Sequence, residues 1–181
     1  MDANKHIIDC GGWEGDSVIS LREKFDPDGK YICHTFEANP LMNHHYTKFK
    51  NHILYNKAVW IYDGEIDFHL QQEQGRKHNM GSSIFGRTMK SNVKEESIKV
   101  PCVDFSKWIL NTFNKNDYLI LKLDIEGAEY KVLNKMIIDG SIEYINDLYI
   151  EFHHKKYTNL ISQQEVDDIC SKIKIKINTW V

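Results

Sequence analysis

The run LILKLDIEGAEYKVL at 119–133 constrains this chain more than any other stretch, because within a few residues it turns from a buried strand into an acidic helix start. Leu119 to Leu123 is almost wholly apolar, the pattern of a strand in a parallel sheet covered on both faces. Asp124 stands at the carboxyl end of that strand, Glu126 and Gly127 make the turn, and Ala128, Val132, Leu133 and Met136 supply a helical stripe. Ligands of open α/β sheets sit at the carboxyl ends of the strands. Asp124 and Glu126 are therefore placed to act on something, unless they only cap the helix and favour its positive end.

The rest of the chain repeats the strand–helix alternation of a mostly parallel, doubly wound sheet. His6 to Cys10 is a strand ending in a glycine turn, and Val18, Ile19, Leu21, Arg22 and Phe25 continue as a helix. Tyr31 to Phe36 is the second strand, and Pro40 opens a helix to about Lys50. His52–Tyr55 with Lys57–Ile61 makes a third strand region, from which Asp63-Gly64 turns as a hairpin into Glu65–Leu70. The polar segment 71–99 lacks periodicity and is expected to be a mobile loop or lid centred on GSSIF at 81–85. Asp104 caps a helix carrying Phe105, Trp108, Ile109 and Phe113, and Gly140 closes the helix that follows Asp124. Asp147–Phe152 is the fifth parallel strand, Gln163–Lys172 a helix, and IKIKINTW at 173–180 an edge strand with one wet face.

A chain of 181 residues with 41% hydrophobic content holds one good core, so a single domain spanning 1–181 is expected. Net charge is −3 and the lysines are scattered, which predicts no binding to nucleic acid or to an anionic membrane surface. The four cysteines, Cys10, Cys33, Cys102 and Cys170, form no CxxC pair and fit reduced thiols of a cytoplasmic protein. MDANKHIIDCGG at the start has no apolar h-region, and no segment is long and apolar enough for a membrane span.

Polar residues gather at five strand ends: Asp9 with Gly11, Gly12 and Gly15; Glu37 with Asn39; Asn56 and Ala58; Asp124 with Glu126; Glu151 with His153. A glycine turn after the first strand lets a ligand approach the backbone and offers it helix amides. Glu37 suits a ribose diol, because a carboxylate accepts from both hydroxyls. Together these features spell nucleoside recognition. GGWEG departs from the GxGxxG order, which argues against a dinucleotide.

DCGGWEG at 9–15, HTFEANP at 34–40, KLDIEGAEYKVL at 122–133 and LYIEFH at 148–153 resemble the FkbM family of S-adenosylmethionine-dependent methyltransferases, over roughly residues 6–155. The resemblance implies a single-domain, Rossmann-like class I methyltransferase with an inserted hairpin or loop. The far edge is shortened, with one strand after EFHH where the common fold has two, so completion by a second copy in a homo-oligomer is one expectation. By motif position, Asp9, Gly11 and Gly15 line the methionine part of S-adenosylmethionine and Glu37 holds the ribose. Ala38 or Asn39 lies beside the ribose or adenine, and Asn56 and Ala58 border the adenine. Asp124 lies near the sulfonium and the acceptor hydroxyl. The implied acceptor is a small molecule or glycan, foremost a sugar hydroxyl. Rival readings are a nicotinamide-dependent oxidoreductase or epimerase and a noncatalytic nucleoside-binding subunit.

A hydroxyl acceptor must lose a proton. His153 is the first candidate base because its ordinary pKa suits the task, with Asp124 second. Alternatively Asp124, Glu151 and His153 hold a divalent cation, Mg²⁺ or Mn²⁺, that lowers the hydroxyl pKa. Lys122 interrupts an apolar strand and so needs a partner, which is expected to be Glu151 or Glu37. Ser82 and Ser83 either reach the ligand from a lid or make an ordinary turn. Trp13 and Trp60 suit stacking or packing, and Trp108 packing. His44, His45 and His78 are expected at the surface.

Overall fold

The computed structural model describes residues 4–73, 81–86, 93–156 and 160–180. Its first half runs β1 (Lys5–Cys10), α1 (Asp16–Phe25), β2 (Ile32–Phe36), a 3-10 helix (Pro40–Tyr46), β3 (His52–Tyr55), β4 (Ala58–Trp60), β5 (Gly64–Glu73) and β6 (Val93–Asp104). The second half follows as α2 (Phe105–Thr112), β7 (Tyr118–Leu123), α3 (Glu129–Asp139), a 3-10 helix (Ser141–Tyr144), β8 (Ile145–Ile150), α4 (Gln163–Ser171) and β9 (Ile177–Thr179).

Six strands form one parallel sheet in the order β3-β2-β1-β7-β8-β9. Side-chain alternation along β1 and β7 sends residues to two separate cores. Ile7 and Ile120 pack with Val18 and Leu21 of α1 on one face. Ile8, Leu119, Leu121 and Leu123 pack on the other with Phe105 and Ile109 of α2 and Val132 and Leu133 of α3. This two-sided cover explains why β7 is apolar along its length, and each such fully buried side chain contributes about 1.5–3 kcal/mol. The helices begin and end as their sequences dictate. Asp104 accepts from the Lys107 amide at 3.1 Å, and Gly140 ends α3 with φ 79°. Ser162 and Glu165 cap α4 reciprocally.

Five elements differ from the sequence expectation. The helix after Pro40 is a 3-10 helix that stops at Tyr46, where the Tyr46 hydroxyl is drawn to the Trp13 carbonyl at 2.8 Å. The third strand region divides: β3 joins the main sheet, whereas β4 joins a second sheet of order β4-β6-β5. Asp63-Gly64 therefore does not fold β5 back onto β4. Asp63 accepts from the Asp104 amide at 3.1 Å and from the Lys107 ammonium at 3.0 Å, which wraps the chain around the end of β6. β6 then sits between a parallel partner and an antiparallel one. Residues 71–73 and 93–99, expected in a lid, are ladder positions of β5 and β6. Of that segment, 74–80 and 87–92, with His78, lie outside the described residues. The final strand is restricted to Ile177–Thr179 and runs parallel to β8 at the sheet edge.

One hydrophobic cluster contains residues of both sheets, among them Trp60, Phe68 and Val100 with Ile8, Phe36 and Leu121. The second sheet thereby stands beside the carboxyl end of the first. Cys10, Cys33, Cys102 and Cys170 are free thiols, the first three buried. Among the described residues, no helix is long and apolar enough to cross a membrane.

Candidate active site

β1 and β7 are neighbours, and the chain winds away from them in opposite directions, toward β3 on one side and β9 on the other. Such a switch point opens a crevice at the strand ends. The ladder is prolonged into it: the Gly11 amide donates to Phe36 O at 2.9 Å, Asp124 N to Cys10 O at 3.1 Å and Glu151 N to Leu123 O at 3.0 Å. Gly11 has φ 82°, and a Cβ there would lie 1.8 Å from the Asp124 carbonyl oxygen. Only glycine permits the two strand ends to close to this distance.

Beneath the turn Lys122, 1% exposed, donates to Gly11 O at 2.7 Å and lies 3.2 Å from both Asp9 and Asp124. Burial alone lowers its pKa, but the two carboxylates outweigh burial and raise it. The expected pairing with Glu151 or Glu37 is replaced by this one because Asp9 and Lys122 are register partners on adjacent strands. Asp9, fully buried and also bonded to Ser17 Oγ at 2.7 Å, supports the turn from below and is not on the cavity wall. Gly12 and Gly15 are likewise not on that wall. Side-chain atoms of Thr35, Tyr46 and Phe49 occupy the space where their Cβ atoms would stand.

The crevice holds a cavity of about 320 Å³. Glu37 lines it, 7% exposed, with Oε2 accepting from Trp13 N and Oε1 from Asn39 N, both at 2.7 Å. Burial pushes this carboxyl up to about 7, although the Asn39 and Trp13 amides pull the other way. Asn39 lines the same wall and is 2% exposed; its Oδ1 caps Leu41 while its Nδ2 has no hydrogen-bond partner. Trp13, Ala38 and Ala58 face the cavity as well, whereas Trp60 and Trp108 pack in the apolar cluster. Asn56, expected beside a base, is not on the wall; its amide braces the Glu37 carbonyl at 2.7 Å.

At the other end of the cavity, Asp124, Glu126 and Glu151 form an acidic wall. Behind it His153 is 2% exposed. Its Nδ1 lies 2.9 Å from Glu129 Oε1, so that nitrogen carries the proton and donates. Glu129, fully buried, also accepts from the amides of Ile125 and Gly127 at 2.9 and 3.0 Å, which fixes the turn in which Glu126 adopts φ 52°. His153 Nε2 faces Glu151, Glu126 and Asp124 oxygens at 3.4, 3.6 and 3.8 Å. Burial alone lowers the His153 pKa, but the Glu129 hydrogen bond and the surrounding carboxylates raise it above its ordinary value. Burial, then Asp124, raises that of Glu151. Lys156 reaches Glu126 Oε2 at 3.3 Å from the rim.

Of the ligand set expected from sequence, Asp124, Glu151 and His153, Asp124 and His153 bring donor atoms together with Glu126 within 4.8 Å of one another. Two-residue spacing placed Glu151 beside His153, and its Oε1 does lie 3.4 Å from Nε2 although β8 ends at Ile150; Glu126, left-handed at φ 52°, joins the group from the turn after β7. Glu129 and Lys156 were not singled out as functional. For Glu129 the available signal was its place three residues after Glu126, at the first helical position.

The second sheet supplies the cover. Ser83 is 1% exposed, exchanges backbone hydrogen bonds with His69, and donates its hydroxyl to Glu126 O at 2.6 Å; Ser82 and Ile84 line the cavity. His44 is exposed and His45 half-buried, apart from this site.

The sequence matches the model of the Methyltransferase FkbM domain over residues 9–174 of the chain. Neither the curated proteins nor the solved structures compared with it yield a match.

Proposed function

The chain belongs to the FkbM methyltransferase family, and from that premise we propose that it uses S-adenosylmethionine to methylate a hydroxyl of a sugar in a glycan or glycoconjugate. The observation that carries the proposal is one cavity bounded by Glu37 at one end and Asp124, Glu126 and Glu151 at the other. The residues fit the cofactor. Each Glu37 oxygen retains acceptor capacity beyond its one backbone donor, which suits two ribose hydroxyls. Asn39 Nδ2 supplies a donor without a protein partner, and Ala38, Ala58 and Val59 leave a small-residue apolar slot for a base. When bound, the cofactor supplies an electrophilic methyl group on a sulfonium.

The chain's own task is alignment, exclusion of water and handling of the acceptor proton. Gly11 and Asp124, held together by Lys122, fix the floor. Carboxylate-rich walls accept hydrogen bonds from a polyhydroxyl acceptor. His153 Nε2 is sealed from solvent, so Glu151, with its side chain 39% exposed and its pKa raised, is the better placed group to take the hydroxyl proton. The match to a methyltransferase domain leaves the nicotinamide reading without support. Four free thiols fit a reducing compartment, and we assign the cytoplasm.

Calorimetry with S-adenosylmethionine tests the cofactor. One site per chain is expected, weakened about 100-fold in Glu37→Ala, as two charge-assisted hydrogen bonds of about 1.5 kcal/mol each imply. No binding, or equal binding by the variant, would overturn it. Labelled methyl transfer over a panel of sugar hydroxyl, amine and carbon acceptors tests the rest; label on nitrogen or carbon alone would overturn the hydroxyl assignment.

A further inference from the structure

We propose that Asp124, Glu126 and His153 bind one divalent first-row cation, Mn²⁺ better than Mg²⁺, at the acceptor end of the crevice. The proposal rests on the reading of that end as the acceptor site, but its test is independent of the cofactor.

The acidic wall alone would say little, since exposed carboxylates are common. The telling group is His153. Its residue is 98% buried by the 2% exposure, and Nε2 has no hydrogen-bond partner. Because Nδ1–H is committed to Glu129, the Nε2 lone pair points at Asp124, Glu126 and Glu151. A lone pair facing three anionic oxygens is repulsive unless something positive sits between them.

A proton on Nε2 satisfies one oxygen at most, and 3.4–3.8 Å exceeds the roughly 2.7–2.9 Å of a charge-assisted hydrogen bond. The 3.6 Å to Glu126 and 3.8 Å to Asp124 instead fall in the range between neighbouring and opposite ligands of one ion. Bonds of about 2.1 Å put neighbouring ligands about 3.0–3.4 Å apart and opposite ones about 4.2 Å apart. The three donor atoms lie within 4.8 Å of one another. Glu129 completes the arrangement, because a metal-bound imidazole characteristically donates its other N–H to a carboxylate, which fixes the tautomer and raises ligand basicity. Two carboxylates and an imidazole favour Mn²⁺ over Mg²⁺, which prefers oxygen alone. Such an ion facing the cavity would bind the acceptor oxygen and lower the hydroxyl pKa, with the proton passing to Glu151.

The test is titration of the full chain, stripped with chelator, with MnCl₂ alone, followed by electron paramagnetic resonance. One bound Mn²⁺ per chain is expected, with spin-echo modulation from a directly coordinated imidazole nitrogen. Affinity should fall at least tenfold in Asp124→Asn and His153→Ala, and about 10- to 100-fold in Glu129→Gln. S-adenosylmethionine binding, measured in chelator on the same samples, reports whether the fold and the cofactor site persist. Absence of saturable Mn²⁺ binding in a wild-type chain that binds S-adenosylmethionine overturns the proposal and spares the cofactor. So does bound Mn²⁺ without nitrogen coupling, a result that needs no variant to fold.

Discussion

Lys122→Met removes the cation beneath the glycine turn, and its cost follows from what each partner loses. Asp124 has a side chain 22% exposed and recovers water. Asp9 is fully buried and, among the described residues, keeps the Ser17 hydroxyl as its side-chain donor, so its charge is left uncompensated. Gly11 O loses its 2.7 Å donor as well. Breaking a buried pair from one side costs about 3–5 kcal/mol, so a loss near 4 kcal/mol is expected, a large part of the 5–15 kcal/mol that holds an ordinary domain. For a chain of this length that lowers Tm by about 8–16 °C. Asp9→Asn in the same chain removes the stranded charge and should recover about 2 kcal/mol or more. Urea unfolding of the two single variants and the double variant measures this. A single-variant loss under about 1 kcal/mol, or a double variant no more stable than Lys122→Met, would refute the reasoning.

Gly11→Ala forces a side chain into the Asp124 carbonyl, 1.8 Å from the new Cβ, in a left-handed backbone. A loss of about 2–5 kcal/mol and of cofactor binding is expected, whereas Gly29→Ala, with φ 67° and nothing within 4 Å, should cost only about 1–2 kcal/mol. His34, buried against His6, has its pKa lowered from 6.5 to about 4 by burial and then by the neighbouring imidazoles. Between those values the unfolded chain takes up a proton that the folded chain refuses. Stability should therefore decline by about 3 kcal/mol as pH falls from 6.5 to 4 and then level off. His34→Phe should flatten that decline in thermal melts across the window, and an unchanged slope would count against the assignment.

The parallel strands and their helices were legible because their signals are local: apolar runs ending in acids, Asp104 before Phe105, Gly140 after Asp139. Glu37 and Asp124 were legible for the same reason, as acids at strand ends. Partners across the sheet were not. Asp9 meets Lys122 only because β1 and β7 adjoin in register, a pairing fixed by topology and invisible in either segment. The inward turn of Glu126 depends on a positive φ at a residue other than glycine, which no composition rule announces. Asp63-Gly64 has the chemistry of a hairpin turn, but β6, arriving thirty residues later, takes both neighbours. The expected lid failed likewise, since the polar residues of β5 and β6 find their order in each other.

The central seam of the sheet joins Lys5–Cys10 to Tyr118–Leu123. At about 5–20 residues per second, a ribosome needs on the order of 5–20 s to deliver the second of these after the first. For that interval β1 has β2 and β3 on one flank and an open edge on the other. Nascent chains halted before β7 should therefore depend on chaperones that shield strand edges. Release of that dependence should coincide with emergence of β7 and the turn after it, which close the seam and deliver Asp124 and Glu126 to the crevice.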